Sequence, residues 1–147
     1  MFELSISRHI AASPENVWDV LAYRQNEWWC PRPWRSEVLA QERRAGGRSS
    51  ITMFGPDGEV MPNEGIFLAW EEGRRFVTTD AVTEGFVPAG PFMIGIWEIE
   101  PEGDGTRYTA RARHWTEAAM QEHATMGFEQ GWNACADQLQ ALCEAGD

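Results

Sequence analysis

The stretch Phe128-Glu-Gln-Gly-Trp-Asn-Ala-Cys-Ala-Asp-Gln-Leu-Gln-Ala-Leu142 decides the fold. Its large apolar residues recur every three or four positions, which is the period of a helix with one buried face. They are Phe128, Trp132, Cys135, Leu139 and Leu142. Thr116 is a suitable N-cap and is followed by Glu117, so we predict one long helix over residues 116–144. A helix of this length needs an extended apolar surface to pack on.

The chain before this helix consists mainly of strand segments separated by turn signals. Residues 2–10 alternate between apolar and polar, and Ser13-Pro14-Glu15 begins a short helix that ends near Tyr23. We predict one helical turn and a loop over residues 26–34 and a loop over residues 84–91. Further strands are predicted over residues 35–43, 48–54, 59–70 (with Pro62 as an interruption), 74–81, 92–100 and 106–114, the last two joined by the turn Glu102-Gly-Asp-Gly105.

This order of elements predicts an α+β fold in which a curved antiparallel sheet of six or seven strands wraps around the C-terminal helix. One or two short helices follow strand 1, and residues 1–147 form a single domain. A straight helix on a strongly curved sheet contacts the ends of the sheet better than its middle. The fold therefore favours a cavity between the sheet and the helix.

Strand alternation predicts which residues face that cavity. Arg111 and Arg113 must face water, so Tyr108, Ala110, Ala112 and His114 point inward. Four inward residues of the predicted elements are small. They are Gly95, Ala110, Ala112 and Gly127. Small residues on facing elements either pack closely or leave a void, and the curvature of the sheet favours the void.

Three tryptophans lie within seven residues, in the segment Trp28-Trp29-Cys30-Pro31-Arg32-Pro33-Trp34. Two interpretations of this segment stay open. The tryptophans plug one end of the core, or they form an aromatic lid or wall of the cavity.

The composition excludes several function classes. The formal net charge is −11, which argues against binding to nucleic acid or to an anionic membrane; the acidity otherwise serves solubility. All 12 basic residues are arginine, so Schiff-base, pyridoxal phosphate and Walker-type chemistry that needs a lysine is excluded. We expect no cofactor.

The cysteines and the N-terminus indicate a cytoplasmic protein. Cys30, Cys135 and Cys143 form no CxxC pair, so we expect reduced thiols. The N-terminal residues lack the pattern of a signal peptide, and no apolar run has the length of a membrane span. No HxH or HExxH spacing supports a metal site.

Several strings along the chain resemble one known superfamily. They are RHIAASPENVW at residues 8–18, GGR at 46–48, GIFL at 65–68, RRFVTT at 74–79, GTRYT at 105–109, HATMGFEQGW at 123–132 and DQL at 137–139. In this order they resemble the SRPBCC superfamily, which has the START-like or Bet v 1-like helix-grip fold. Within it, the sequence is similar to the branch named after the activator of heat shock protein 90 ATPase. The resemblance implies the fold, and it leaves the function open because members include lipid and hormone binders, cyclases and hydroxylase components.

Three functions follow as hypotheses. The first is a binding module that holds a small apolar molecule in the cavity. The second is a cyclase or isomerase that uses His114 or Asp80 as acid or base, with a Tyr108–His114–Asp80 group as one arrangement. The third is a homodimerisation or protein-interaction module, including a chaperone-related role. The chain lacks the separate N-terminal domain of true co-chaperones, so we do not expect direct chaperone activation.

The candidate ligand-binding residues come from the inward strand positions, the aromatic segment and the start of the terminal helix. His114 and His123 are expected to approach each other near that start, with Asp80 or Glu64 close by. The full set of cavity candidates is Trp28, Trp34, Ile51, Met53, Phe67, Thr78, Asp80, Trp97, Tyr108, Ala110, His114, Met120, His123 and Gly127.

Overall fold

The computed structural model describes residues 1–146 and confirms the α+β prediction. Seven long strands form one antiparallel sheet in the order β1-β9-β8-β5-β4-β3-β2, and a two-stranded hairpin, β6-β7, stands apart from it. The elements are β1 (Phe2–Ile10), α1 (Pro14–Tyr23), α2 (Gln25–Trp28), β2 (Arg35–Gln41), β3 (Arg48–Phe54), β4 (Val60–Glu71), β5 (Arg75–Thr79), β6 (Val82–Thr83), β7 (Val87–Pro88), β8 (Ile94–Glu102), β9 (Gly105–His114), α3 (Glu117–Thr125) and α4 (Phe128–Ala145).

Both predicted N-caps are present. The Ser13 hydroxyl accepts the Asn16 amide at 3.2 Å, and the Thr116 hydroxyl accepts the Ala119 amide at 3.1 Å. The prediction of one continuous terminal helix was wrong, however. Gly127 has a φ of 102°, a left-handed conformation that ends α3 and begins α4.

Strand β4 continues through Pro62, where an interruption was predicted. Strand β5 pairs only with residues 66–71 of β4, so Pro62 lies in a part of the strand that has β3 as its single neighbour. A residue without a backbone N–H is tolerated there. Strand β2 is shorter than predicted and ends at Gln41, where the chain turns; the Arg44 amide donates to the Glu42 carbonyl at 2.8 Å, and the Glu42 carboxylate accepts the Arg48 amide at 2.8 Å.

The core between the sheet and α4 is filled by stacked aromatic rings. Trp70, Phe76, Trp97 and Trp132 form a column with centroid separations of 5.3, 5.2 and 5.5 Å and interplanar angles of 16°, 20° and 14°. The indole of Trp97 lies back over Gly95, where an added Cβ would collide with it. Ala110 and Ala112 are completely buried. The small inward residues therefore allow close packing, and the void that we expected above them is occupied by tryptophan.

One carboxylate connects the end of this column to α1. Glu72 accepts the indole N–H groups of Trp18 at 2.8 Å and Trp70 at 2.9 Å, together with the Tyr23 hydroxyl at 2.7 Å. Burial raises the pKa of Glu72, but the hydrogen bonds from Trp70, Tyr23 and Trp18 outweigh this effect, and the net pKa is below its ordinary value. The ionised carboxylate therefore stabilises the packing of α1 on the turn between β4 and β5.

Replacing Glu72 by Gln is expected to lower the free energy of unfolding by about 1 kcal/mol at pH 7, since three hydrogen bonds lose their charged acceptor and solvent weakens each of them. Because the folded pKa is lowered, the stabilisation is present above the unfolded pKa and disappears as the pH falls through the folded value. Urea unfolding at pH 7 and pH 3.5 measures both effects. The exposed Glu100→Gln is the matched control, and an equal loss in both variants would contradict the role of Glu72.

Candidate functional site

A pocket of about 90 Å³ lies between α2 and the inner face of strands β3, β4, β5 and β8; we call it the inner pocket. The side of the pocket formed by Trp29, Met93 and Trp97 is apolar. The side formed by β3, β4 and the end of β5 carries mainly polar side chains. It is lined by Gln25, Trp29, Ser49, Ile51, Asn63, Glu64, Gly65, Thr78, Thr79, Asp80, Phe92, Met93 and Trp97.

The strand register brings these residues together. Ile51 of β3 lies opposite Asn63 of β4, and Ser49 lies opposite Gly65. On the other side of the pocket, Thr78 of β5 lies opposite Gly95 of β8. Since alternate residues share a face, these side chains project to the concave side of the sheet.

Several polar groups of the inner pocket are free of partners in the part of the chain that the structure describes. Within residues 1–146, the hydroxyls of Ser49 and Thr78 and the side-chain amide of Gln25 make no hydrogen bond, and Asn63 makes only a 3.4 Å contact with the Met61 carbonyl. Trp29 and Trp97 stand edge to face, with centroids 5.6 Å apart, and form the aromatic wall. The pocket thus combines an apolar wall with donors and acceptors that are available to a ligand.

Asp80 lines the inner pocket but is engaged in closing a loop. Its carboxylate oxygens accept the Phe92 amide at 2.7 and 2.9 Å and the Met93 amide at 3.2 Å. These bonds fix the two ends of the segment that contains the β6-β7 hairpin. The carboxylate therefore holds the rim of the pocket in place.

The two histidines meet as predicted, outside the pocket. His114 Nε2 lies 2.8 Å from His123 Nδ1, and His114 Nδ1 lies 3.1 Å from the Phe2 carbonyl. A carbonyl only accepts, so His114 carries its hydrogen on Nδ1, and His123 Nδ1–H donates to His114 Nε2. Burial, with a smaller effect of the neighbouring His114, lowers the pKa of His123 to about 4. Phe92 lines the pocket and also packs on His123, at a centroid distance of 4.6 Å.

Four of the fourteen predicted cavity residues line the inner pocket: Ile51, Thr78, Asp80 and Trp97. The other ten lie elsewhere. Trp28, Phe67, Tyr108 and Ala110 are packed in the core, and Trp28 donates to the Leu21 carbonyl at 3.2 Å. His114 and His123 form their own pair, Trp34 lines a separate surface cleft, Gly127 forms the junction between helices, and neither Met53 nor Met120 contributes to the pocket wall.

The Tyr108–His114–Asp80 arrangement is not formed. Tyr108 and His114 share the extended strand β9 and are six residues apart, which places them about 20 Å from each other at the usual rise per residue. Tyr108 is completely buried, and its pKa is raised well above the ordinary value by desolvation.

The sequence-based prediction missed Gln25, Trp29, Ser49, Asn63, Phe92 and Met93, among others. Ser49 follows from the strand phase, because it alternates with Ile51. Trp29 was within the recognised aromatic segment, although Trp28 and Trp34 were chosen. Asn63 required the register between β3 and β4, which alternation within one strand does not give.

Cys30, Cys135 and Cys143 are buried, and no disulfide joins them. Desolvation raises the pKa of Cys30 to about 11 and that of Cys135 to about 12, so neither thiol is activated at neutral pH. Residues 1–146 contain no group of three or more His, Cys, Asp or Glu side chains placed to hold a metal ion. In the same part of the chain, no helix has the length and apolar character needed to cross a membrane.

Comparison with solved structures identifies close structural relatives. A structural-genomics protein from Nitrosomonas europaea is 33% identical, with a TM-score of 0.90 over 98% of this chain and 95% of that one. A protein from Mycobacterium smegmatis is 26% identical, with a TM-score of 0.83 over 99% and 93% of the two chains. The AHSA1 protein from Silicibacter pomeroyi shares the fold at 16% identity, with a TM-score of 0.75 over 99% of both chains. No curated protein matches the sequence.

A family model covers nearly the whole chain. The model described as Activator of Hsp90 ATPase homolog 1-like protein matches residues 11–144, a span that includes every strand from β2 to β9 and all four helices up to Glu144. The resemblance predicted from the sequence strings is therefore confirmed. The chain belongs to the Activator of Hsp90 ATPase homolog 1-like family.

Proposed function

We propose that this protein binds a small, mainly apolar molecule in the inner pocket. The observation that carries the proposal is the combination of an aromatic wall, Trp29 and Trp97, with polar side chains that have no partner in residues 1–146. Ligand pockets typically have this composition: a predominantly apolar lining with a few polar groups that fix orientation. Family membership supports the same class of function.

The size of the pocket limits the ligand. An enclosed cavity of about 150 Å³ accepts benzene, and the inner pocket of about 90 Å³ is open on one side. A single-ring compound or a short chain thus enters with part of its surface in solvent. A larger ligand requires the side chain of Trp29 or Phe92 to move outward.

Acid–base catalysis has less geometric support than binding. The Asp80 carboxylate accepts backbone amides, and the histidine pair lies behind Phe92. Homodimerisation and a chaperone-related role stay predictions.

The proposed pocket is tested with two single-ring probes of similar size, phenol and toluene. Replacing Thr78 by Val removes a hydroxyl and keeps the shape, so phenol should bind about three- to tenfold more weakly, as expected for one lost hydrogen bond. Toluene should be unaffected. The indole N–H signals of Trp29 and Trp97 in ¹⁵N NMR report the binding.

The matched control is Thr109→Val, on the outer face of the sheet, where the Thr109 hydroxyl contacts Ser7 at 3.1 Å. If neither probe shifts Trp97 at millimolar concentration, the inner pocket does not bind small molecules and the proposal is wrong. If the probes do bind, native mass spectrometry of the protein purified from its own host would identify the natural ligand.

A further inference from the structure

The aromatic segment of residues 28–34 forms one wall of a second concavity, which we call the outer cleft. It lies between this segment and the C-terminal half of α4, and its volume is about 590 Å³. The residues that give it its character are Trp29, Arg32, Pro33, Trp34, Gln138 and Leu142. Only Trp29 is shared with the inner pocket. The volume lies in the range of about 300–1,000 Å³ that is typical of small-molecule sites.

The walls of the outer cleft are held in place by α4. The side chain of Gln138 donates to the Trp28 carbonyl at 2.8 Å and to the Cys30 carbonyl at 2.9 Å. Its oxygen accepts the Arg32 amide at 3.2 Å. The Ser36 hydroxyl adds a bond to the Trp29 carbonyl at 3.0 Å. The backbone of the segment is therefore fixed on both sides before any ligand arrives, which lowers the entropic cost of binding.

Arg32 differs from the other arginines of the chain. Ten of the 12 arginines form ion pairs with Asp or Glu. Arg43 covers the rings of Tyr23 and Trp70. In residues 1–146, the guanidinium of Arg32 makes no ion pair, side-chain hydrogen bond or ring contact. In a chain with a net charge of −11, this leaves one guanidinium at the cleft that is available to an external anion.

The other charges at the outer cleft are already compensated. Both oxygens of Glu27 accept from Arg24, at 2.7 and 2.8 Å. Arg35 pairs with Glu37 at 3.1 Å and lies over the Phe54 ring at 4.2 Å. Arg32 thus contributes the uncompensated positive charge of the cleft. The rest of its lining combines the apolar side chains of Trp29, Pro33, Trp34 and Leu142 with Asn26, Cys30 and Gln138.

We propose that the outer cleft binds a small aromatic monocarboxylate, whose ring packs against Trp34, Pro33 and Leu142 while its carboxylate pairs with Arg32. A planar guanidinium recognises a carboxylate through two parallel hydrogen bonds, which makes arginine well suited to this role. The site is independent of the proposed function of the inner pocket, since Arg32 and Trp34 line the outer cleft alone.

The probe is 2-naphthoate, with 2-naphthamide as its neutral isostere. In ¹⁵N NMR, 2-naphthoate should shift the indole N–H signals of Trp34 and Trp29 and leave that of Trp97 unchanged. Replacing Arg32 by Gln should weaken 2-naphthoate about tenfold, as expected for the loss of one charge-assisted contact in a partly solvated site. The same substitution should change the affinity for 2-naphthamide less than twofold. Arg44→Gln, an exposed arginine outside both sites, is the control.

Three results would overturn the proposal. The first is that 2-naphthoate leaves Trp34 unshifted at millimolar concentration. The second is an equal affinity of 2-naphthoate for the unmodified protein and the Arg32→Gln variant. The third is that a peptide ending in a tryptophan carboxylate binds more tightly than 2-naphthoate with the same dependence on Arg32, which would identify a peptide partner. A shift confined to Trp97 is a case of the first result. It would contradict the proposed binding in the outer cleft and support binding in the inner pocket, so the two proposals fail separately.

Discussion

Replacing Trp97 by Ala is expected to lower the free energy of unfolding by about 3–5 kcal/mol, the cost of removing a large buried aromatic side chain. Trp97 is 4% exposed, stacks between Phe76 and Trp132 and meets Trp29 edge to face, so three rings lose contacts at once. Its indole nitrogen has no hydrogen-bond partner in residues 1–146. The substitution therefore leaves no acceptor unpaired, and the loss comes from packing alone. Urea unfolding at pH 7 measures it.

The new space opens into the inner pocket, because Trp97 lines that pocket. Added indole should bind there and recover part of the lost stability in a concentration-dependent manner. Trp115→Ala is the matched control, since Trp115 is 49% exposed and its removal should change the stability by less than about 0.5 kcal/mol. A Trp97→Ala variant that is as stable as the control would show that the ring column does not stabilise the fold.

The fold was predictable because its determinants are local. Strand alternation, the Ser13 and Thr116 caps and the turn at Glu102–Gly105 each depend on a few neighbouring residues, and the structure bears them out. The break at Gly127 was not predictable in the same way. A glycine inside a helix costs only about 1 kcal/mol relative to alanine, so its presence in an apolar helical stripe does not show that the backbone will turn.

The candidate site was less predictable because it depends on side-chain conformations. Alternation identified Gly95, Ala110 and Ala112 as inward, and all three are buried. It did not show that the Trp97 indole lies back along its own strand over Gly95. That single rotamer converts an expected void above β8 into close packing, and the remaining space lies toward β3 and β4. Two of the four candidates that line the inner pocket, Ile51 and Thr78, belong to the strands beside that space.

The buried histidine pair predicts that stability falls on mild acidification. The pKa of His123 is lowered to about 4 in the folded protein, whereas an unperturbed histidine has a pKa of about 6.5. The unfolded chain therefore binds a proton first as the pH falls, and the folded state loses stability between pH 6.5 and 4. Since a tenfold change in proton concentration corresponds to about 1.4 kcal/mol, the total loss is about 3 kcal/mol. Urea unfolding over this pH range measures it.

The variant His123→Phe separates this effect from the titration of carboxylates. Phenylalanine is compatible with the rings around His123, which belong to Phe92, Phe128 and Trp132. The variant should be less stable at pH 7, because His114 Nε2 loses its hydrogen-bond donor. Between pH 6.5 and 5, its unfolding should take up one proton fewer than that of the unmodified protein, so its stability should fall less steeply with pH. His9→Gln is the matched control, because His9 is half-exposed and pairs with Glu102, so the contribution of His123 should persist in it. An unchanged pH slope in His123→Phe would mean that His123 accepts a proton in the folded protein as readily as in the unfolded chain, and that the pair opens to water before it titrates.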